Sequence, residues 1–253
     1  TPLCGTGNKP VRTVLGRIGV NVAVVPAQEK PDGDFKTCEY PNPETDAALN
    51  ESYKIARETH PDLILGTDPD CDRVGIAVKD DAGKYYLMTG NQIGCVLLYY
   101  ILKSRKALGN LPADGAVVKS VVSTELARKI AESFGLVCFN TLTGFKFIGE
   151  QIGLLEREGH PERFVFGFEE SYGYLPGTYA RDKDAVAGCL FAAEAAAHYA
   201  AEGKTLFEAL DDIYKKYGYH NEMQVSINLK GESGLRMIRK IMDTVREANG
   251  KLL

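Results

Sequence analysis

The sequence predicts an α/β fold, built as two consecutive three-layer α/β domains with mostly parallel sheets, and three observations predict it. Short apolar runs bounded by turn residues alternate with amphipathic stretches of helical length through roughly the first hundred residues. The same strand, helix, strand rhythm resumes after Gly109-Asn110-Leu111-Pro112, the best boundary in the chain. Polar loops then follow the C-terminal ends of predicted strands, where open α/β sheets bind ligands. With 253 residues, 44% hydrophobic and 25% charged, the chain is long enough for each domain to bury a core.

Taken in order, Thr1 to Pro10 reads as the loop after a strand. Gly5-Thr6-Gly7 opens a helix from about Lys9 to Arg17, with amides that can meet a phosphate, although a lone glycine pair usually makes only a tight turn. Asn21 to Val25 is expected as a short buried strand. A polar, proline-punctuated loop covers Gln28 to Pro43, and a helix from about Glu44 to Thr59 follows, with a stripe of Ala47, Ala48, Ile55 and Ala56. Asp62 to Leu65 reads as a buried strand. Val74 to Lys79 and Lys84 to Met88 form a hairpin about Asp80-Asp81-Ala82-Gly83, adding an antiparallel edge. Thr89 caps a helix of about Asn91 to Lys106.

Beyond the boundary come a strand Ala116 to Val122 and a helix capped by Thr124 that runs to about Phe134, with Glu125 favoured in its first turn. A strand Leu136 to Asn140, a helix from about Gly144 to Glu158 and a strand Arg163 to Phe168 continue the pattern. Asp182 and Asp184 are placed to cap a long alanine-rich helix ending near Ala201. A strand Glu222 to Asn228 and a helix Gly231 to Glu247 close the chain.

Composition excludes several classes. A net charge of -4 gives no electrostatic case for nucleic acid or an anionic membrane. No apolar run reaches the length of a bilayer span and the first residues do not read as a secretory leader, so a cytoplasmic protein is expected. The six cysteines lack C-x-x-C spacing and mostly sit in apolar surroundings, against disulfides and zinc; none of the four histidines has a motif around it.

The chemistry concentrates first in Gly66 to Val78, GTDPDCDRVGIAV. On a locally extended backbone, Asp68, Asp70 and Asp72 face one way and converge their carboxylates, while Cys71 points away as a structural thiol. Their mutual repulsion is best relieved by a hard divalent cation, Mg²⁺ above all. Arg73 sets a planar cation beside that point, as a bridging phosphoryl group requires. An EF-hand is excluded, because Arg73 and Lys79 stand at the positions of its glycine and its bidentate glutamate. The bland alternative is a solvated acidic turn. Asp70-Cys71-Asp72-Arg73-Val74 also fits the short pattern of aspartyl-phosphate phosphatases, with Asp70 as nucleophile.

Two further loops carry polar groups. Thr141 to Lys146 places Thr143, Gly144 and Lys146 at a helix N-terminus, suited either to an anionic or hydroxylated ligand or to plain capping. Gly167 to Tyr174 ends a strand in Glu169, Glu170 and Ser171, whose oxygens can accept hydrogen bonds from sugar hydroxyls. Lys183, beside Asp182 and Asp184, reads equally well as a surface ion pair.

GTDPDCDRVGIAV, TLTGFKFIGE and GFEESYGYLPGTYARDKDAV, in this order and spacing, resemble the α-D-phosphohexomutase superfamily of phosphoglucomutases, phosphomannomutases and phosphopentomutases. The resemblance covers essentially the whole chain, including TPLCGTGNKPV, which is similar to the first loop of the family's second domain. It implies the family's domain 2/3 type of fold, with residues 1–107 as domain 2, 108–218 as domain 3 and 219–253 as the start of domain 4. It also implies Asp68, Asp70 and Asp72 as Mg²⁺ ligands and Arg73 beside the phosphoryl-transfer centre. Glu169 and Ser171 would bind sugar hydroxyls, Thr143, Gly144 and Lys146 would line the cleft, and Lys183 would serve proton transfer. A phosphosugar substrate and a sugar bisphosphate intermediate or activator come with the family.

The chain departs from the family in two places. It has no serine within a T-A-S-H-N-P-like loop to carry the phosphoryl group, and no phosphate loop of a fourth domain. A central fragment is therefore expected, inactive by itself, whose partners are the first and fourth domains of the same enzyme. The tyrosine-rich segment resembles most the phosphoglucomutase and phosphopentomutase branch; phosphoglucomutase is the first reading for the whole enzyme, with phosphomannomutase and phosphopentomutase as alternatives. An aspartyl-phosphate phosphatase and a non-catalytic sugar-phosphate binding module remain as other classes.

Overall fold

The computed structural model describes residues 1–223 and 229–248. It consists of two units, residues 1–220 and residues 221–253, described separately.

In the first unit, β1 (Leu63–Thr67), β2 (Val74–Lys79) and β3 (Tyr85–Leu87) form one sheet in the order β1-β2-β3. Both pairings are antiparallel, with Thr67 opposite Val74 and Lys79 opposite Tyr85. The expectation of a mostly parallel sheet is corrected for this half. Only residues 68–73 join β1 to β2, too few for the crossover that a parallel pair needs. The hairpin forms as predicted. Asn21 to Val25 is not a strand, because no described strand runs beside it to pair its backbone groups. Those residues instead line a cavity of about 640 Å³, shared with α1 (Asn8–Arg17), α2 (Asp46–Thr59), β1 and α6 (Ala185–Ala201).

The second sheet runs β5 (Val137–Thr141), β4 (Ala116–Ser120), β6 (Phe164–Glu169) and β7 (Gly173–Leu175). β4 pairs parallel with β5 and β6, and β7 adds an antiparallel edge that the sequence did not announce. Strand alternation makes the three layers. Val117 faces a core that contains α3 (Gly90–Ala107) and α4 (Leu126–Ser133), whereas Ala116 and Val118 face α5 (Phe145–Arg157) through Phe145, Ile148 and Ile152. The first sheet behaves alike: Ile64 and Ala77 meet Leu49 and Ala56 of α2, while Val74, Ile76 and Val78 enter the larger core.

Two helices tie the sheets into one unit. α3, capped by Thr89 in a capping box with Gln92, packs on α4, β6 and α7 (Leu206–Tyr217), and its Gly94 lies against the Phe168 ring. α6 follows the second sheet but packs back on α1, β1 and β2, with Gly188 against Val74. The strand expected to reach Val122 stops at Ser120, where the chain turns and leaves Val121 and Val122 exposed. Thr124 caps as expected, its Oγ1 accepting the Leu126 amide at 3.1 Å.

In the second unit, α8 (Gly231–Glu247) has the expected bounds. Residues 224–228 of the expected strand Glu222 to Asn228 lie outside the described residues.

Candidate active site

The aspartate loop leaves β1 and re-enters β2 through a turn, not an extended run. The Cys71 amide donates to the Asp68 carbonyl at 3.0 Å, and Cys71 itself takes φ +63°. Asp68 Oδ1 accepts the amides of Asp72 at 3.1 Å and Arg73 at 2.9 Å. Convergence therefore arises because one buried carboxylate gathers the loop around itself. One oxygen from each of Asp68, Asp70 and Asp72 lies within 4.8 Å of the others. Burial, reinforced by the charges of Asp72 and Asp70, pushes the Asp68 carboxyl up to about 7. The Cys71 thiol faces inward beside Gly7, and burial raises it to about 11, as befits a structural cysteine.

The loop is buttressed from behind by Gly5-Thr6-Gly7. The Thr6 amide and hydroxyl both donate to the Pro69 carbonyl, at 2.8 and 3.1 Å, and a Cβ on Gly5 would stand 2.3 Å from Pro69 Cα. The Thr6 amide, one of those the sequence left open either to a phosphate or to a plain turn, is thus spent on the neighbouring loop.

Arg73 is shared between partners. Its Nη1 donates to Glu44 Oε1 at 3.2 Å, while Nε stands 3.9 Å from Asp68 and 3.8 Å from Asp72, buried and without an acceptor. Its backbone bridges Gly173, and the next amide, Val74, donates to the Tyr172 carbonyl at 3.1 Å. The aspartate loop is thereby stitched to the β6–β7 turn.

Lys183 lays its stem on Gly173, where a Cβ would come within 2.2 Å of Cδ. Its Nζ is 2.9 Å from Asp72 Oδ2 and 3.2 Å from Asp182 Oδ1, and 5.8 Å above the Phe145 ring. Burial alone would lower its pKa, but the two carboxylates outweigh burial and the net shift is upward, so the side chain is an ammonium. Asp184 caps α6 through the amides of Val186 and Ala187.

The β6–β7 turn carries the other candidates. Glu169 is buried and its Oε1 accepts the Gly144 amide at 2.7 Å, joining this turn to the start of α5. Burial raises the Glu169 carboxyl, with Gly144, Lys183 and Arg73 opposing. Gly144 has φ +112°, a conformation that only glycine takes easily. Ser171 sits half-buried in the turn; Thr143 and Lys146 are exposed, and Lys146 lies 4.9 Å over the Phe147 ring. Asp68, Asp70, Asp72, Arg73 and Lys183 come together in one cluster, and Glu169 with Gly144 adjoins it. The Thr143 and Lys146 side chains stay at the rim.

Sequence reasoning missed a second tier, built on Glu170, which it had read as an acceptor for sugar hydroxyls. Glu170 Oε2 accepts the hydroxyls of Ser120 at 2.7 Å and Ser123 at 3.0 Å. Lys119 is fully buried and donates to the Ser123 carbonyl at 2.9 Å and Glu125 at 2.8 Å. Two serines three apart, one ending a strand and one just beyond it, were the available signal. Glu44 was read only as a helix start.

Fold and cluster together describe an α/β protein whose carboxylates and cations meet at the loops between and beyond strand ends. The model for phosphoglucomutase/phosphomannomutase, alpha/beta/alpha domain II, matches residues 1–83, and that for alpha/beta/alpha domain III matches residues 89–217. The chain belongs to the phosphoglucomutase/phosphomannomutase family. It is 36% identical over 247 residues to a phosphoglucomutase of Staphylococcus epidermidis, covering 97% of this chain and 44% of that protein, and equally so to one of Staphylococcus aureus. A solved structure from Thermus thermophilus, provisionally assigned as a phosphomannomutase, superimposes with TM-score 0.67 at 25% identity, covering 86% of this chain and 45% of that one. An Aspergillus fumigatus N-acetylphosphoglucosamine mutase, solved in complex with GlcNAc-6P and magnesium, has the same fold at TM-score 0.55 and 16% identity, covering 81% and 43%. The chain thus spans under half the length of these relatives. Among the described residues, no helix is long and apolar enough to cross a membrane.

Proposed function

We propose that the chain is the central part of a Mg²⁺-dependent phosphosugar mutase interconverting hexose 1-phosphate and hexose 6-phosphate, glucose phosphate first. In this reading residues 1–107 and 108–218 serve as domains 2 and 3, and 219–253 open domain 4. The observation that carries it is the 2.9 Å contact between Lys183 and Asp72, which brings two loops more than a hundred residues apart into one cluster.

The donor set fits a hard cation. Ligands on an octahedral Mg²⁺ at about 2.1 Å lie roughly 3 to 4 Å apart, so the observed spread needs only small side-chain rotation. Asp72 Oδ1, buried without a hydrogen-bond partner, is an orphan that such an ion would satisfy. Asp68, Asp70 and Asp72 would hold it, and when bound it supplies positive charge to the phosphoryl oxygens.

Arg73 adds its charge on the same side. Glu169 and Ser171 accept sugar hydroxyls, and the rim of Thr143 and Lys146 faces the rest of the ligand. Lys183, an ammonium, is ready to donate a proton to a sugar oxygen; to accept one it must first give up a proton, which its contact with Asp72 opposes. The phosphoserine and the phosphate loop belong to parts of the enzyme outside this sequence, with a sugar bisphosphate as the intermediate.

Calorimetry of the 253-residue chain with MnCl₂ and with glucose 1,6-bisphosphate, beside a coupled assay for glucose 6-phosphate, tests the proposal. Weak cation binding that vanishes in Asp68→Asn/Asp72→Asn, with no turnover, is expected. Turnover of glucose 1-phosphate by these residues alone would refute it.

A further inference from the structure

We propose that Glu44 is a positioning residue that holds the Arg73 guanidinium off Asp68 and Asp72, keeping oxygens of that pair free for a cation. The inference rests on the cation reading above and adds to it a residue from a different part of the chain.

Glu44 is built to be where it is. The Asn42 side chain accepts the Glu44 amide at 2.9 Å, and the next residue, Thr45, caps α2 by accepting the Ala48 amide. Pro43 is pressed against β2 at Gly75, where a Cβ would stand 2.2 Å from the Pro43 carbonyl oxygen. Only a glycine on β2 lets the Asn42-Pro43-Glu44 corner come this close. The corner thus delivers Glu44 to the strand that begins beside Arg73, with its side chain only 24% exposed. A pre-organised, mostly buried carboxylate differs from the long, solvated pairs that contribute little on surfaces.

The carboxylates in direct reach of the guanidinium are Glu44, Asp68 and Asp72, with the Glu169 charge further off. Nη1 bonds Glu44 at 3.2 Å, whereas Nε stops at 3.9 Å from Asp68 and 3.8 Å from Asp72, beyond hydrogen-bond distance. Nε and Asp72 Oδ1 are both buried and unbonded, although they are near neighbours of opposite charge. Left to itself, an arginine this close to two carboxylates closes into a fork-like pair with them. The pull of Glu44 on the far end of the guanidinium is what prevents closure. Without it Arg73 competes with the cation for the same oxygens.

The experiment is a double-mutant cycle on the 253-residue chain, comparing wild type, Glu44→Gln, Arg73→Gln and the double variant. Mn²⁺ affinity is read by calorimetry, and the Arg73 Nε–H resonance by ¹⁵N NMR without metal. Glu44→Gln is expected to weaken Mn²⁺ binding about fivefold, equivalent to ~1 kcal/mol. Arg73→Gln should abolish that effect, so that the double variant binds as Arg73→Gln does. In metal-free Glu44→Gln, the Nε–H signal should move downfield as it gains a carboxylate acceptor. An unchanged Mn²⁺ affinity or an unchanged Nε–H signal would overturn the proposal. If wild type takes up no Mn²⁺, the cation reading fails, and the NMR comparison alone still decides whether Glu44 restrains Arg73. Should Glu44→Gln not fold, Glu44→Asp, with its carboxylate one methylene short, must shift the signal in the same direction.

Discussion

Replacing Gly90 by alanine tests whether the β6–β7 turn is held by direct backbone contact. Gly90 is the first residue of α3, and a Cβ there would lie 1.9 Å from the Glu170 carbonyl oxygen and 3.0 Å from the Tyr172 ring. A carbon and an oxygen rest at about 3.3 Å or more, so the turn or the helix must give by roughly 1.4 Å. Alanine in an unobstructed helical position is worth about 0.5 to 1 kcal/mol over glycine. Overpacking of this kind costs about 1 to 3 kcal/mol, so the net sign should be destabilising. Gly153, inside α5, meets only the Arg157 side chain at 3.5 Å and serves as the control. Urea denaturation should place Gly90→Ala below wild type by about 1 to 2 kcal/mol and Gly153→Ala at or above it. Because the same turn carries Glu169 and Ser171, Gly90→Ala should also weaken binding of glucose 1,6-bisphosphate. If it melted like the control and bound ligand normally, the claim that α3 fixes this turn would be wrong.

Three other outcomes follow from the same contacts. Gly5→Ala, which touches no aspartate, should lower Mn²⁺ affinity by pushing Pro69 away, and calorimetry showing wild-type affinity would disprove the buttress. Gly144→Ala forces a φ of +112° on a residue with a Cβ and should lose about 1 to 3 kcal/mol in thermal or urea melts, together with protection of the amide that Glu169 accepts. The Glu125 carboxyl is drawn down to about 2, first by the Lys119 ammonium and then by Arg128. A depressed carboxylate stabilises the fold above its unfolded pKa, near 4.3, and that contribution disappears as pH falls toward 2. Glu125→Gln should therefore be less stable than wild type at pH 7 and indistinguishable near pH 2; a gap independent of pH would show that Lys119 does not depend on that charge.

How much of this was legible in the sequence depends on how local the determinant is. The aspartates, Arg73 and the Glu169 to Tyr174 stretch stood out because each packs several chemistry-bearing groups into one short run. Helix limits were readable where a cap and a breaker bracket them, as at Thr89 and at Asp184. Asn21 to Val25 looks like a strand by pattern, but a strand also needs a neighbour, and no pattern within the segment reports one. Nothing in the local sequence singles out Lys119; only the fold brings Ser123 and Glu125 around its ammonium. Glu44 lies far from Arg73 in the chain, within a polar proline-rich loop, so only the close approach of Pro43 to Gly75 reveals its partner.

The manner in which the aspartates converge has a consequence for the whole site. An extended loop would have presented three equivalent carboxylates to solvent. The turn instead buries Asp68, half-buries Asp72 and leaves Asp70 exposed, so the carboxylates differ in the work they do. Asp68 spends one oxygen on two amides and shapes the loop; Asp72 holds Lys183 with one oxygen and leaves the other unbonded; Asp70 has the freedom to adjust. Buried polar atoms without partners are rare in folded chains because each costs about 1 to 3 kcal/mol. Here two of them, Asp72 Oδ1 and Arg73 Nε, lie side by side where the loops of both sheets meet. These two atoms stay open at the point where, on the proposed reading, a cation and a phosphoryl oxygen would supply the missing contacts.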